Sequence, residues 1–233
     1  MKVVILAGGL GTRISELTRI VPKPMIKVLG KPIIHRIIDH YYFYGHKEFY
    51  IALGYKGEVI QKYFQSCKLK KGIKIHCIKT GKKTMTGGRI KRLNKYLKSD
   101  FLLTYGDGLS SVNLDKLVKF HKKKKKLVTV TAVRPPARFG TIKIIKDKVK
   151  YFKEKNHLDE GWINGGFFVM NPNFIKFINN DKTYLEREPF EKITKKDQFV
   201  AFKHNGFWQC MDTLRDKEIL EKKIRNKEHL EKK

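Results

Sequence analysis

Apolar positions in the first half of the chain follow two alternating periods. "VVILA" (residues 3–7) is apolar at every position, the pattern of a parallel strand buried on both faces rather than one with a wet side. "KPIIHRIIDHYYFYG" sets Ile33, Ile34, Ile37, Ile38 and Tyr41 at helical spacing. Pro32 stands where a first turn tolerates it and Gly45 where a helix stops. "EFYIAL" reads as the next strand, "KGEVIQKYF" as a short helix and "IKIHCI" as a third strand. "GGRIKRLNKYL" predicts a helix with Ile90, Leu93 and Leu97 along one face, and "FLLTYGDG" a fourth strand ending in an aspartate between glycines. This alternation implies an α/β fold with a doubly wound, mostly parallel, Rossmann-like sheet, which takes ligands at the carboxyl ends of its strands.

The pattern then changes. "LVTVTAV", "GTIKII", "KVKYFKE" and "WINGGFFVM" are strand-like with few helices between them, which predicts a mixed sheet added to the first half. "NPNFIKFINN" and "EPFEKIT" read as short helices, and a charged helical tail runs from about Thr213 onward. With no internal repeat and no linker rich in Gly, Ser or Pro, the expectation is a single domain over 1–233. It divides into a first half (1–110), a second half (111–212) and a C-terminal helix (213–233).

Composition changes this picture in one respect. Fifty-two basic against 22 acidic residues leave a net charge of +30, which would ordinarily point to nucleic acid. The excess is mostly scattered lysine, with one dense run at "HKKKKK" (121–126) that carries neither arginine nor an aromatic residue. Base readout and stacking need those residue types, so the charge predicts only weak, salt-sensitive, nonspecific polyanion binding. No apolar run is long enough to span a bilayer, and the first residues lack the layout of a signal peptide. Cys67, Cys77 and Cys210 form no CxxC pair. A reduced, cytoplasmic enzyme with no membrane partner is expected.

The densest chemistry follows the first strand. In "VVILAGGLGTRISELTRIVPKPM" the strand runs into Gly8, Gly9 and Gly11, then Arg13, then Lys23 between Pro22 and Pro24. The glycines let consecutive backbone N–H groups face anionic oxygens with no Cβ in the way. Arg13 adds a planar fork suited to phosphate. The prolines are expected to hold Lys23 on a stiff, extended segment, so its ammonium loses less entropy on meeting a phosphate. Two familiar phosphate loops fail the test. A dinucleotide loop needs a third glycine where Ile14 stands and an acid about 20 positions on. A Walker loop needs lysine after Gly11, where Thr12 and Arg13 follow. No Ser-His-Asp or Cys-His constellation for covalent catalysis stands out either.

"LAGGLGTR" followed by "PKPM" resembles the signature of the sugar-phosphate nucleotidyltransferases. "TMTGGRIKR", "TYGDG", "PPARFG", "FKEK", "INGGFFVMNP" and "GFWQCMDTLRDKEILE" extend the resemblance, in that order, along most of the chain and toward members that use CTP and glucose 1-phosphate. The resemblance implies the nucleotidyltransferase fold, with nucleotide bound by the first half and sugar phosphate by the second. It implies that CTP and α-D-glucose 1-phosphate react, with Mg²⁺, to give CDP-glucose and pyrophosphate. The sugar phosphate is then the nucleophile, and catalysis is mostly alignment and charge neutralisation.

Site roles follow from the same resemblance. Leu6, Ala7, Gly8, Gly9, Leu10, Gly11 and Thr12 match the nucleotide loop. Arg13 is expected to neutralise the leaving pyrophosphate and Lys23 the α-phosphate region, the two catalytic roles. Thr84, Arg89 and Gly106 match further substrate contacts. Gly87 and Gly88 fit close backbone approach to a flat base, or simply a helix start. Asp107 and Asp212 match two metal ligands; two carboxylates with phosphate oxygens suit Mg²⁺. Glu154 is expected on the sugar hydroxyls, Lys155 on the sugar phosphate, and Asn164, Gly165 and Gly166 on the hexose. His76 and His157 are read as ordinary polar residues.

Alternatives stay open at this level. Enzymes using dTTP, UTP or GTP share the scaffold. A glycosyltransferase would hold its metal on a D-x-D pair, which Gly108 and Leu109 break. A non-catalytic polyanion-binding protein would have little use for Arg13, Lys23, Asp107, Lys155 and Asp212 together. "QSCKLKKGIKIHCIK" is shorter than the family's connection and the C-terminal extension is reduced, so the resemblance does not fix whether a homo-oligomer forms.

Overall fold

The computed structural model describes residues 1–135, 141–153 and 161–226. Its first half carries β1 (Val3–Ala7), α1 (Ser15–Thr18), β2 (Lys27–Val28), β3 (Lys31–Pro32), α2 (Ile33–Phe43), β4 (Glu48–Leu53), α3 (Gly57–Ser66), β5 (Lys74–Lys79), α4 (Thr86–Arg92) and β6 (Phe101–Tyr105). There follow β7 (Gly108–Ser110), α5 (Leu114–Lys124), β8 (Val128–Val133), β9 (Thr141–Ile145), β10 (Lys148–Lys153), β11 (Ile163–Met170), α6 (Glu188–Lys195), β12 (Phe199–His204), β13 (Trp208–Cys210) and α7 (Leu214–Arg225). Seven strands form one sheet in the order β12-β8-β11-β6-β1-β4-β5. Within it β11 alone runs against its neighbours; the remaining pairs are parallel.

Burial on both faces accounts for the uninterrupted apolar first strand. Strand side chains alternate between faces. Val3, Ile5 and Ala7 share a layer with Ile37 and Tyr41 of α2, Ile60 of α3, Leu117 of α5 and Leu220 of α7. Val4 and Leu6 share the opposite layer with Ile90 of α4 and with Phe190 and Ile193 of α6. Each such fully buried side chain stabilises the fold by roughly 1.5–3 kcal/mol before entropy is counted.

From the second half, β8, β11 and β12 join the same sheet and make it mixed, while among the described residues β9 and β10 pair only with each other. Four local expectations change. The helix expected through Leu97 stops at Arg92 and passes through a 3₁₀ turn (Asn94–Tyr96), yet Ile90, Leu93 and Leu97 are all buried as foreseen. The fourth strand ends at Tyr105, so Asp107 sits on the turn into β7. The lysine run is the end of α5, an unforeseen helix, where cations complement the carboxyl end of the helix dipole. Strands β12 and β13 were not anticipated either. The tail helix does begin after Thr213, whose hydroxyl and Asp216 form a reciprocal cap.

This topology brings three things to one edge. β1 lies between β4 and β6, with the chain winding outward on both sides, so a crevice opens at its carboxyl end. Running in reverse, β11 delivers its first residues there, with Asn164 opposite Ala132 of β8. β13 pairs antiparallel with β7, and the Met211 N–H donates to the Asp107 carbonyl at 2.9 Å, which draws Asp212 beside Asp107.

Candidate active site

Two clefts adjoin at this edge and share Arg13, Tyr105 and Asp107. The first encloses about 360 Å³. Leu6, Ala7, Gly8, Gly9, Gly11, Thr12, Arg13, Lys23, Thr84, Arg89 and Gly106 all line it, whereas Leu10 is 58% exposed and lies outside its wall. Gly11 takes a left-handed conformation (φ 68°), and the Thr18 hydroxyl donates to its carbonyl at 3.0 Å.

Arg89 fixes this loop from below. Its side chain rises from α4 into the core, where the residue is only 4% exposed. The guanidinium donates to the carbonyls of Leu53 (3.1 Å), Gly81 (2.9 Å) and Gly8 (3.0 Å) and to the Thr80 hydroxyl (2.7 Å). None of these four acceptors is a carboxylate. Burial, and then Arg92, lower its pKa, but a guanidinium starts high enough to stay charged. A Cβ on Gly8 would fall 2.1 Å from its central carbon, so a larger residue there would displace the guanidinium. Gly87 and Gly88 also serve close approach, but to protein: added Cβ atoms would meet the Thr183 carbonyl at 2.8 Å and the Asp181 backbone at 2.6 Å.

Between the clefts lies the charged centre. Lys23 does not extend as expected; it opens a 3₁₀ turn (Lys23–Met25) in which the Met25 N–H donates to the Pro22 carbonyl at 2.7 Å. Pro24 fits because an N–H at the start of a turn has no partner to lose. The Lys23 ammonium donates to Asp107 Oδ2 at 2.5 Å and to Asp212 Oδ1 at 2.6 Å. Arg13 Nη1 donates to Asp212 Oδ2 at 2.6 Å from a largely exposed side chain. Burial pulls the Lys23 pKa down, but Asp107 and Asp212 outweigh it and hold the ammonium above its ordinary value.

The donor set of this centre suits a hard divalent cation. Two carboxylates already converge on one positive charge, and no set of three or more His, Cys, Asp or Glu that could hold a metal occurs among the described residues. Any such ion therefore needs water or ligand oxygens to complete its shell.

The second cleft, about 350 Å³, is lined by Asn164, Gly165, Phe167, Trp208, Cys210 and Asp212 beyond the shared residues. A bulge in β11 shapes it, with Gly166 and Phe167 at positive φ (73° and 51°). Such a backbone is strained for phenylalanine, and Tyr41 stacked on its ring at 6.0 Å helps hold it. The Trp208 indole N–H donates to the Gly165 carbonyl at 2.7 Å. Gly166 stands behind this wall, where a Cβ would press on the Tyr105 ring at 3.1 Å. Burial, Asp212 and Asp107 push the Cys210 thiol up to about 12, which leaves it a poor nucleophile. Glu154 and Lys155 lie outside the described residues.

Met85, Thr86, Tyr105, Tyr184 and Trp208 line the clefts without having been singled out in the sequence. Tyr105 sits in the strand-like apolar run "FLLTY" and Trp208 beside Phe207, where an aromatic residue reads as core. Position next to "GDG" and before "MDT" was the available signal.

Residues 2–216 match the family model described as nucleotidyl transferase. The chain belongs to the nucleotidyl transferase family. It is 45% identical to the glucose-1-phosphate cytidylyltransferase of Salmonella typhimurium, over 95% of each chain. To the probable glucose-1-phosphate cytidylyltransferase of Bacillus subtilis it is 39% identical, over 93% of each. Among solved structures it is similar to HddC from Yersinia pseudotuberculosis, with a TM-score of 0.74 and 26% identity over 96% of this chain and 99% of that one. In this nucleotidyl transferase the glycine loop lines one of two clefts that meet at the charged centre, and no helix among the described residues is long and apolar enough to cross a membrane.

Proposed function

We propose that this nucleotidyl transferase moves the cytidylyl group of CTP onto α-D-glucose 1-phosphate, forming CDP-glucose and pyrophosphate. The reading is carried by two adjoining clefts that meet at Arg13 and Asp107, in a chain 45% identical to a glucose-1-phosphate cytidylyltransferase along 95% of its length. CTP occupies the glycine-loop cleft with its phosphates toward Arg13 and Lys23. Glucose 1-phosphate occupies the cleft under β11.

A phosphate oxygen of the sugar phosphate attacks the α-phosphorus. The bond from that phosphorus to the oxygen bridging toward the β-phosphate breaks, and pyrophosphate leaves with the electron pair. The nucleophile arrives as an anion, so the protein's task is to align it and to offset negative charge. Lys23 changes partners for this: its ammonium leaves Asp107 and Asp212 for the α-phosphate. Arg13 leaves Asp212 for the departing pyrophosphate. The exchange frees both carboxylates to hold a divalent cation, which we assign as Mg²⁺. Held by Asp107 and Asp212, it would supply charge neutralisation. The substrates and the free thiols Cys67, Cys77 and Cys210 suit a cytoplasmic setting.

Pyrophosphate release with CTP, UTP, dTTP, GTP and ATP against glucose 1-phosphate, with Mg²⁺ or with EDTA, tests the reading. Turnover is expected with CTP and metal only. Equal rates with another nucleotide would overturn the base assignment, and release that persists in EDTA would remove the role given to the aspartates.

A further inference from the structure

We propose that Tyr105 is a positioning residue that couples binding in the two clefts, through a hydrogen-bonded relay running from Thr86 in one wall to Asn164 in the other. The proposal rests on reading those clefts as the nucleotide and sugar-phosphate sites. Tyr105 ends β6, two residues before Asp107, and its ring walls both clefts. The ring is set edge-on against Phe168 at 5.9 Å and 79°. Its hydroxyl donates to Glu186 Oε1 at 2.7 Å, and the other Glu186 oxygen accepts from the Thr86 hydroxyl at 2.7 Å. Thr86 opens α4, the helix that carries Arg89 beneath the glycine loop. On the other side the Asn164 amide donates to the Tyr105 oxygen at 3.2 Å, and the Asn164 carbonyl oxygen accepts from the Gly166 N–H at 2.9 Å.

The relay therefore joins the start of the nucleotide-side helix to the bulge of the sugar-side strand. Both ends of the relay line a cleft: Thr86, half-buried, the first, and Asn164, exposed, the second. A ligand in either cleft strips water from its side of the relay, and hydrogen bonds gain strength as the local dielectric falls. Each substrate then stiffens the wall that receives the other, which appears as a reciprocal gain in affinity.

Calorimetry on the full chain, with glucose 1-phosphate titrated in the presence and absence of saturating α,β-methylene-CTP and Mg²⁺, measures that gain. In the wild type the analogue should tighten glucose 1-phosphate binding by about 10-fold. In Tyr105→Phe, which keeps the ring and removes the hydroxyl, the gain should fall below about 2-fold while the melting temperature stays within about 2 °C. Glu186→Gln should lose part of the same gain, and the double variant no more than Tyr105→Phe alone, because both act in one relay. Two binding ligands with an unchanged gain in Tyr105→Phe would overturn the proposal, as would a wild type with no gain. Failure of either ligand to bind the wild type would overturn the reading of the clefts as well.

Discussion

In the cleft assigned above to the nucleotide, the largest part of the wall comes from one stretch, residues 6–14 apart from Leu10, hung on the end of a parallel strand and fastened from below by Arg89. In the cleft assigned above to the sugar phosphate, Asn164 and Gly165 come from a reversed strand, Trp208 from a second antiparallel pair, and the curvature from a bulge held at positive φ. The first wall is built around one local loop, with Thr84, Tyr105 and Tyr184 closing it from elsewhere in the chain. The second exists only once remote strands have paired. A backbone change in the loop should therefore be felt mainly by the nucleotide, and one at the bulge mainly by the sugar phosphate. Lys23 with its two aspartates belongs to both.

The largest test of this division is Lys23→Met. Turnover should fall by about 10²–10³-fold, the usual loss when one preorganised donor to developing charge is removed, with the far-ultraviolet circular dichroism unchanged. Steady-state kinetics that retained wild-type turnover would detach the charged centre from the chemistry. Next come two alanine substitutions with crossed outcomes. Gly8→Ala drives a methyl into the Arg89 guanidinium, and Gly165→Ala drives one to 2.7 Å from Val133 Cγ1 and 3.0 Å from the Thr131 carbonyl. At an overpacking cost of roughly 1–3 kcal/mol, the first should raise KM for CTP by about 10-fold or more, and the second KM for glucose 1-phosphate by a like factor. Equal effects of either substitution on both KM values would erase the distinction between the walls.

Trp208→Phe is gentler, because it removes one hydrogen bond to Gly165 worth about 1 kcal/mol and leaves an aromatic wall. KM for glucose 1-phosphate should rise by about 5-fold with KM for CTP unmoved. The smallest effect belongs to a pair outside both walls. Burial alone would raise the Asp39 pKa, but Lys31 and Lys70 outweigh it and hold the carboxyl below its ordinary 3.8. A lowered folded value means the ion pairs stabilise the protein above 3.8 and that this is lost as pH falls through the folded value. Asp39→Asn should cost about 1 kcal/mol at neutral pH, and thermal melts of variant and wild type should converge under strongly acidic conditions. Kinetic constants should not move.

Legibility in the sequence follows the same divide. The loop could be read because its glycines, arginine and proline-flanked lysine are contiguous and each residue type carries its own reason. The shape around Lys23 was misjudged because the restriction on a residue before proline argues against a helix and says nothing of a tight turn closed by the Met25 N–H. Helix α5 was hidden because only Leu114, Leu117 and His121 are buried on it, beneath a cover of lysine. At the bulge, "INGG" announced an irregular backbone, but nothing marked Phe167, whose left-handed φ is maintained by tertiary packing. Gly87 and Gly88 signalled close approach correctly while leaving the partner unnamed. That partner, the Asp181–Thr183 backbone, lies far away in sequence.

The reversal of β11 has one more consequence. Its Phe168–Met170 end is clamped in register between two neighbours, whereas its Ile163 end pairs with β8 and opens at the rim. Residues gained or lost just before Ile163 would resculpt the acceptor pocket without disturbing that clamp or the glycine loop. The cleft assigned to the sugar phosphate is therefore the one such a change would reach first, with the wall around the glycine loop left as it stands.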